Sequence, residues 1–216
     1  MTRFALAFAA LPALALAACG QQAGDTTDTA QPEPVLTPAA EMTPQADFAI
    51  DGLGAKIVGP QGPEVSSNFT DPSGQPGGTV VSYVACPAGM DTCDPTQTPT
   101  DTVYTFVHTV TPANGASAFR TAIPAYGFTG AMGFDEESAS QALGEGARMV
   151  TRCQGGQLTW AVEGGQGWLP GRPITVWWQS NTPPAGPAPS YEVLAQGDRS
   201  AATGPYTPEL PTVSCG

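Results

Sequence analysis

The sequence predicts an all-β protein: a single antiparallel β-sandwich with long Gly/Pro-rich loops, carried behind a signal peptide and a disordered tether. Three observations predict it. First, the stretch Leu158 to Tyr191 holds all four tryptophans, Trp160, Trp168, Trp177 and Trp178, and both its ends alternate. Leu158, Trp160 and Val162 share one face, with Thr159, Ala161 and Glu163 on the other; Ile174, Val176 and Trp178 lie opposite Thr175, Trp177 and Gln179. Period-two alternation of aromatic and β-branched residues marks half-buried strands, and the glycines and prolines between them mark turns. These two strands are expected to form the central pair of the sandwich. Second, 26 glycines and 23 prolines in 216 residues favour many short strands over helices. Third, Cys86, Cys93, Cys153 and Cys215 remain once Cys19 is assigned to the leader, and an even number in an exported chain suggests two disulfides. Three pairings are open. Cys86–Cys93, closing the short loop CPAGMDTC, and Cys153–Cys215, tying the C-terminus to a strand, are favoured. A zinc site would need paired spacing such as C-x-x-C, which is absent.

In chain order, residues 1–18 read as an export signal: Arg3 supplies the positive start, Phe4 to Ala18 the apolar run, and small residues its end. The run is too short for a comfortable membrane span. Residues 19–45 read as a disordered tether, dominated by Gln, Thr, Ala, Pro and acids, with no apolar period that would let them fold. Pro32, Pro34, Pro38 and Pro44 stiffen this segment toward an extended form. Residues 46–216 are left for the sandwich domain, enough for one core.

Within that domain, Asp47 to Ile50 and Ala55 to Val58 are expected as short strands, and Pro60 to Gly78 as a loop. Asn68-Phe69-Thr70 in that loop matches a glycosylation sequon in the eukaryotic sense and is read as coincidental. Thr79 to Cys86 has two apolar faces, which places it centrally in a sheet. The loop Pro87 to Thr100 carries Asp91 and Asp94, with Asp101 beyond; calcium is one use for such oxygens, but without EF-hand or RTX spacing a solvated acidic loop is favoured. Asp101 to Val110 is the clearest strand, with Tyr104, Phe106, His108 and Val110 on one face and Val103, Thr105, Val107 and Thr109 on the other. Ala113 to Ala122 reads as a loop. Tyr126 to Phe134 reads as a glycine-broken strand with a bulge. Asp135, Glu136 and Glu137 then suit the start of a helical turn over Ser138 to Leu143 better than a glycosidase carboxylate pair. Arg148 to Cys153 is a further strand, Glu192 to Ala195 ends the last strand pattern, and Gly197 to Gly216 is expected as coil.

Two resemblances add to this reading. Leu16-Ala17-Ala18-Cys19 resembles the lipobox of bacterial lipoproteins. The resemblance implies cleavage before Cys19 and a diacylglyceryl thioether on its sulfur; two or three acyl chains hold a protein stably where one does not. Gly20 follows the cysteine, where inner-membrane lipoproteins of Gram-negative bacteria commonly carry aspartate, so the implied destination in such a host is the outer membrane. VYTFVHTV at Val103 to Val110, QLTWAV at Gln157 to Val162 and ITVWWQSNTPPAGP at Ile174 to Pro187, followed by Tyr191, resemble the β-sandwich of exosortase-sorted (PEP-CTERM type) secreted surface proteins. Those proteins carry a C-terminal Pro-Glu-Pro, membrane span and basic tail, whereas this sequence ends in Cys215-Gly216. The resemblance implies a sandwich module and carries no activity.

The net charge of −12 disfavours nucleic acid and anionic membrane as direct partners. The expected membrane contact is the lipid on Cys19. A non-enzymatic envelope module accounts together for leader, tether, acidity and cysteines, with a glycan or an envelope protein as its partner. A carbohydrate-binding module is the alternative: tryptophans on a sheet face stack on sugar rings, and Trp168 and Trp177 are the candidates, provided they are exposed. A hydrolase ranks last. G-x-S-x-G, H-E-x-x-H, P-loop and S-x-x-K motifs are absent, and any histidine chemistry rests on His108 alone, whose strand neighbours are apolar. Neither catalytic residues, metal nor cofactor are assigned.

Overall fold

The computed structural model describes residues 40–43, 45, 48–59, 64–70, 73–195, 197–210 and 215. The segments read from the sequence as signal peptide and lipobox, with Cys19, and most of the segment read as a tether lie outside the described residues. Among the described residues, eleven strands and one short α-helix follow in order: β1 (Ala40–Met42), β2 (Val65–Thr70), β3 (Pro76–Ala85), β4 (Tyr104–Pro112), β5 (Ala118–Thr121), β6 (Phe128–Phe134), α1 (Glu136–Ala142), β7 (Arg148–Gln154), β8 (Gln157–Glu163), β9 (Ile174–Ser180), β10 (Ala185–Ala195) and β11 (Asp198–Tyr206). They form two antiparallel sheets. Sheet A has the order β1-β7-β8-β5-β10-β11, and sheet B the order β2-β3-β4-β9-β6. The protein is an antiparallel β-sandwich.

Alternation explains which side chains fill it. Tyr104, Phe106, His108 and Val110 of β4, Ile174, Val176 and Trp178 of β9, Leu158 and Trp160 of β8, and Tyr191 and Val193 of β10 are all buried. Burying an indole removes roughly 200 Å² from water, about 5 kcal/mol of hydrophobic driving force at the usual coefficient. Trp160 also spans the sandwich, its Nε1–H donating to the Gly133 carbonyl of the opposite sheet at 2.7 Å. Trp178 stacks on Phe106 with ring centroids 4.1 Å apart. Asp135 caps α1 by accepting from the Ser138 N–H at 2.7 Å, with Glu136 and Glu137 in the first turn. The acids there serve the helix, as the sequence suggested.

Several expectations are corrected. The two tryptophan strands are not a pair: β8 lies in sheet A and β9 in sheet B, each paired to other strands. The segment expected as loop from Pro60 to Gly78 contains β2 and the start of β3, and the expected loop Ala113 to Ala122 contains β5. The expected C-terminal coil contains β11, which pairs along β10 through two register shifts. The region of the two short N-terminal strands forms instead a 3-10 turn at Ile50–Gly52 and a single bridge from Lys56 to Ala85. Ala40–Met42, placed in the tether, pairs with Cys153 to Thr151 as the edge of sheet A. The bulge in β6 is present, between Phe128 and Met132.

Cys86 and Cys93 come together, as do Cys153 and Cys215, with Cα atoms 5.6 and 6.0 Å apart. These are the favoured pairings, at separations that suit disulfides.

Candidate functional site

His108 sits at the centre of sheet B, on β4 between β3 and β9. Register places Ser82 of β3 beside it and Val176 of β9 on its other flank. The imidazole is fully buried. Its Nδ1 is 2.8 Å from Ser82 Oγ, and the Trp178 indole N–H donates to its Nε2 at 3.3 Å. An indole nitrogen only donates, so Nε2 is the acceptor and Nδ1 carries the proton. The His108 Nδ1–H therefore donates to Ser82. Across the sandwich, Tyr191 and Phe119 of sheet A lie against the ring, with centroids 4.2 and 5.5 Å away. Burial lowers the His108 pKa to about 3, so the ring is neutral near pH 7. Burial likewise raises the Tyr191 hydroxyl above its ordinary range, partly offset by the Trp178 N–H; that hydroxyl donates to the Pro205 carbonyl at 2.7 Å.

The arrangement joins both sheets through a neutral polar cluster, and each ring nitrogen of His108 already has a partner. A base must have a free lone pair aimed at the nucleophile. Here the lone pair faces Trp178, and the proton faces Ser82, so the imidazole cannot accept the serine proton in this geometry. His108 has the serine neighbour that a hydrolase would need, but it has neither exposure nor a carboxylate partner among the described residues.

Trp168 and Trp177 were candidates provided they were exposed, and both are buried, with 2% and 1% of their surface exposed. Trp168 closes one end of the sandwich: it bridges Ala116 and Leu143, and its Nε1–H donates to the Arg172 carbonyl at 2.7 Å. The Gly/Pro loop that made it look accessible folds inward to satisfy that N–H. Trp177 does project from the outer face of sheet B, as alternation requires, but Phe48 lies over it with ring centroids 4.0 Å apart and planes inclined by 28°. An exposed coplanar pair of tryptophans is therefore not present. The residues that sequence reasoning missed are Ser82 and Phe48. Ser82 lies between Val80 and Val84 on the inward face of β3, so a lone hydroxyl in a valine row was its available signal. Phe48 had none, because a covering strap is placed by tertiary structure alone.

The acidic loop binds itself. Asp94 accepts from the Thr96 N–H at 2.9 Å, from Thr96 Oγ1 at 2.8 Å and from Gln97 Nε2 at 2.7 Å, bonds that hold its carboxyl below the usual carboxylate range. Among the described residues, Asp91, Asp94 and Asp101 do not gather into a group that could hold a metal ion. On the outer face of sheet A, Glu163 accepts from Arg148 and Arg152, and Arg120 pairs with Glu192 at 2.5 Å.

The fold and its cysteine pairs define a class, the cross-linked antiparallel β-sandwich. No protein-family model matches the chain, and neither a curated protein nor a solved structure matches it.

Proposed function

We propose that this protein is a lipid-anchored component of a bacterial cell envelope, displaying a non-enzymatic β-sandwich on a short tether. The observation that carries the reading is the division of the five cysteines. Four fall into two pairs in the folded domain, and the fifth, Cys19, stands directly after an apolar leader in a lipobox-like setting. A reactive thiol at that position has a use as the site of acylation, and a disulfide-bearing domain suits an oxidising compartment. The acidic surface keeps the domain soluble beside an anionic membrane. With Gly20 after the cysteine, the outer membrane is the destination we assign in a Gram-negative host. The resemblance to exosortase-sorted surface proteins fits the same picture, because VYTFVHTV, QLTWAV and ITVWWQS coincide with β4, β8 and β9 of the sandwich.

The test is fractionation of cells expressing the full chain and its Cys19→Ala variant. The native chain should partition with membranes and enter the detergent phase of a phase separation. The variant should remain as uncleaved precursor or appear as a soluble form. Equal partitioning of the two proteins would refute the anchor.

A further inference from the structure

The outer face of sheet B carries a single indole in a polar frame. Trp177 faces outward on β9, between inward-facing Val176 and Trp178. Gly133 lies opposite it on β6, and a Cβ there would be 2.8 Å from the indole Cζ2. Only glycine leaves the indole room to lie across that strand. Thr175 and Gln179 lie two residues to either side of Trp177 and share its face. Their cross-strand partners on β4 are Thr109 and Thr105. The hydroxyls of Thr109 and Thr175 are 3.1 Å apart, and Gln179 Nε2 donates to Thr105 Oγ1 at 3.2 Å. Two registered polar pairs thus border one flat aromatic plate.

What covers the plate is a short strap anchored at its two ends. Between Phe48 and Leu53 the strap bonds its backbone to itself, Gly52 N–H to the Ala49 carbonyl and Leu53 N–H to the Ile50 carbonyl. The strap is tied down on either side of this stretch: Gln45 N–H donates to the Met132 carbonyl of β6 at 3.3 Å, and Gly54 N–H donates to the Cys86 carbonyl, just beyond β3, at 3.0 Å. Phe48 is itself half-buried. Beside it opens a cleft of about 390 Å³ lined by Phe48, Ala49, Ile50, Asp51, Asp135 and Thr175. That volume lies in the range of small-ligand sites.

We propose that Trp177 is a carbohydrate-stacking subsite that Phe48 closes. A pyranose with equatorial hydroxyls has a flat C–H face the size of a phenyl ring and places its hydroxyls in the ring plane. Such a ring replaces Phe48 on the indole, meets Thr109, Thr175 and Gln179 at its rim, and extends toward Asp51 and Asp135 in the cleft. The ligand class is therefore an oligosaccharide of glucose or N-acetylglucosamine configuration. The proposal goes beyond membrane anchoring and does not depend on it.

The experiment compares the native chain, Phe48→Ala, Phe48→Leu and Phe48→Ala/Trp177→Ala on an array of β-linked glucose and N-acetylglucosamine oligosaccharides. Titration calorimetry with the oligosaccharides that bind follows, and near-ultraviolet circular dichroism verifies each fold. Removing the competing ring should tighten binding about tenfold in Phe48→Ala relative to the native chain. Phe48→Leu should fall between them, and the double variant should lose binding. A folded Phe48→Ala protein that binds no oligosaccharide overturns the proposal, as does binding that survives loss of Trp177. If both single variants fail to fold, Phe48 is part of the core rather than a lid, and the proposal is likewise overturned.

Discussion

Acid should destabilise this protein through His108 in a way that can be isolated. The imidazole is neutral in the fold, with a pKa lowered to about 3 by burial, whereas in the unfolded chain it titrates near 6.5. A depressed folded-state pKa means that the unfolded state binds the proton first. The stability that His108 contributes is present above about pH 6.5 and is lost as pH falls toward 3. Linkage between pH 7 and pH 5 gives a loss of about 2 kcal/mol from this one group, rising to about 4 kcal/mol near pH 3. Among the described residues no charged group faces the ring: its neighbours are Ser82, Trp178, Phe119 and Tyr191, and the tyrosine stays neutral throughout. The carboxylates also titrate on acidification, so the reading is a double difference. Urea unfolding of the native chain and of His108→Asn is followed at pH 7 and pH 5. The variant should be less stable at pH 7 by about 2–3 kcal/mol, from lost packing and hydrogen bonds. Its loss between the two pH values should nevertheless be smaller than that of the native chain by about 2 kcal/mol. Equal pH dependence in the two proteins would refute the buried neutral imidazole.

Two further outcomes follow from the same packing. The cysteine pairs close loops of very different length, with sequence separations of 7 and 62. In the chain-entropy account, Cys86→Ser/Cys93→Ser should cost about 2.5 kcal/mol and Cys153→Ser/Cys215→Ser about 4 kcal/mol in urea unfolding; the reverse order would contradict that account. Thr207 is buried with a hydroxyl that lacks a protein partner, beside a crevice with about 10 Å³ of room for a water centre. Thr207→Val should therefore leave the thermal midpoint unchanged or raise it, because an unpaired buried hydroxyl is a cost. A fall worth more than about 1 kcal/mol would show that the hydroxyl holds a bridging water.

Much of the fold was legible where apolar alternation is uninterrupted. In β4 the row Tyr104, Phe106, His108 and Val110 could face only a core, and its histidine could be read as a core residue from its neighbours alone. β2 was illegible because VSSNFT offers just Val65 and Phe69 to bury, with polar residues between. β5 is four residues long, below the length at which a period can be recognised. β10 and β11 contain Pro187, Pro189 and Pro205, which read as breakers; the ladder accommodates this stretch with register shifts at 185/188 and 189/191. The tryptophans show the boundary most sharply. Trp177 was placed on the correct face, outward from sheet B, yet its burial depends on Phe48, more than a hundred residues earlier. Trp160 and Trp177, each four residues from the Gly/Pro stretch Gly164 to Pro173, belong to strands of opposite sheets, because local alternation fixes faces but does not choose partners. For the same reason the Ser82–His108–Trp178 cluster emerged only when the register of β3, β4 and β9 was known.

The central claim is the lipid on Cys19, and mass spectrometry of the mature N-terminus tests it most directly. The full chain is expressed in a bacterial host and extracted from membranes, and its N-terminal peptide is sequenced by fragmentation. The account predicts a chain beginning at Cys19, with a diacylglyceryl group on the sulfur, and the whole leader Met1 to Ala18 removed. A mature chain that begins at any other residue, or that carries an unmodified Cys19 thiol, would contradict it.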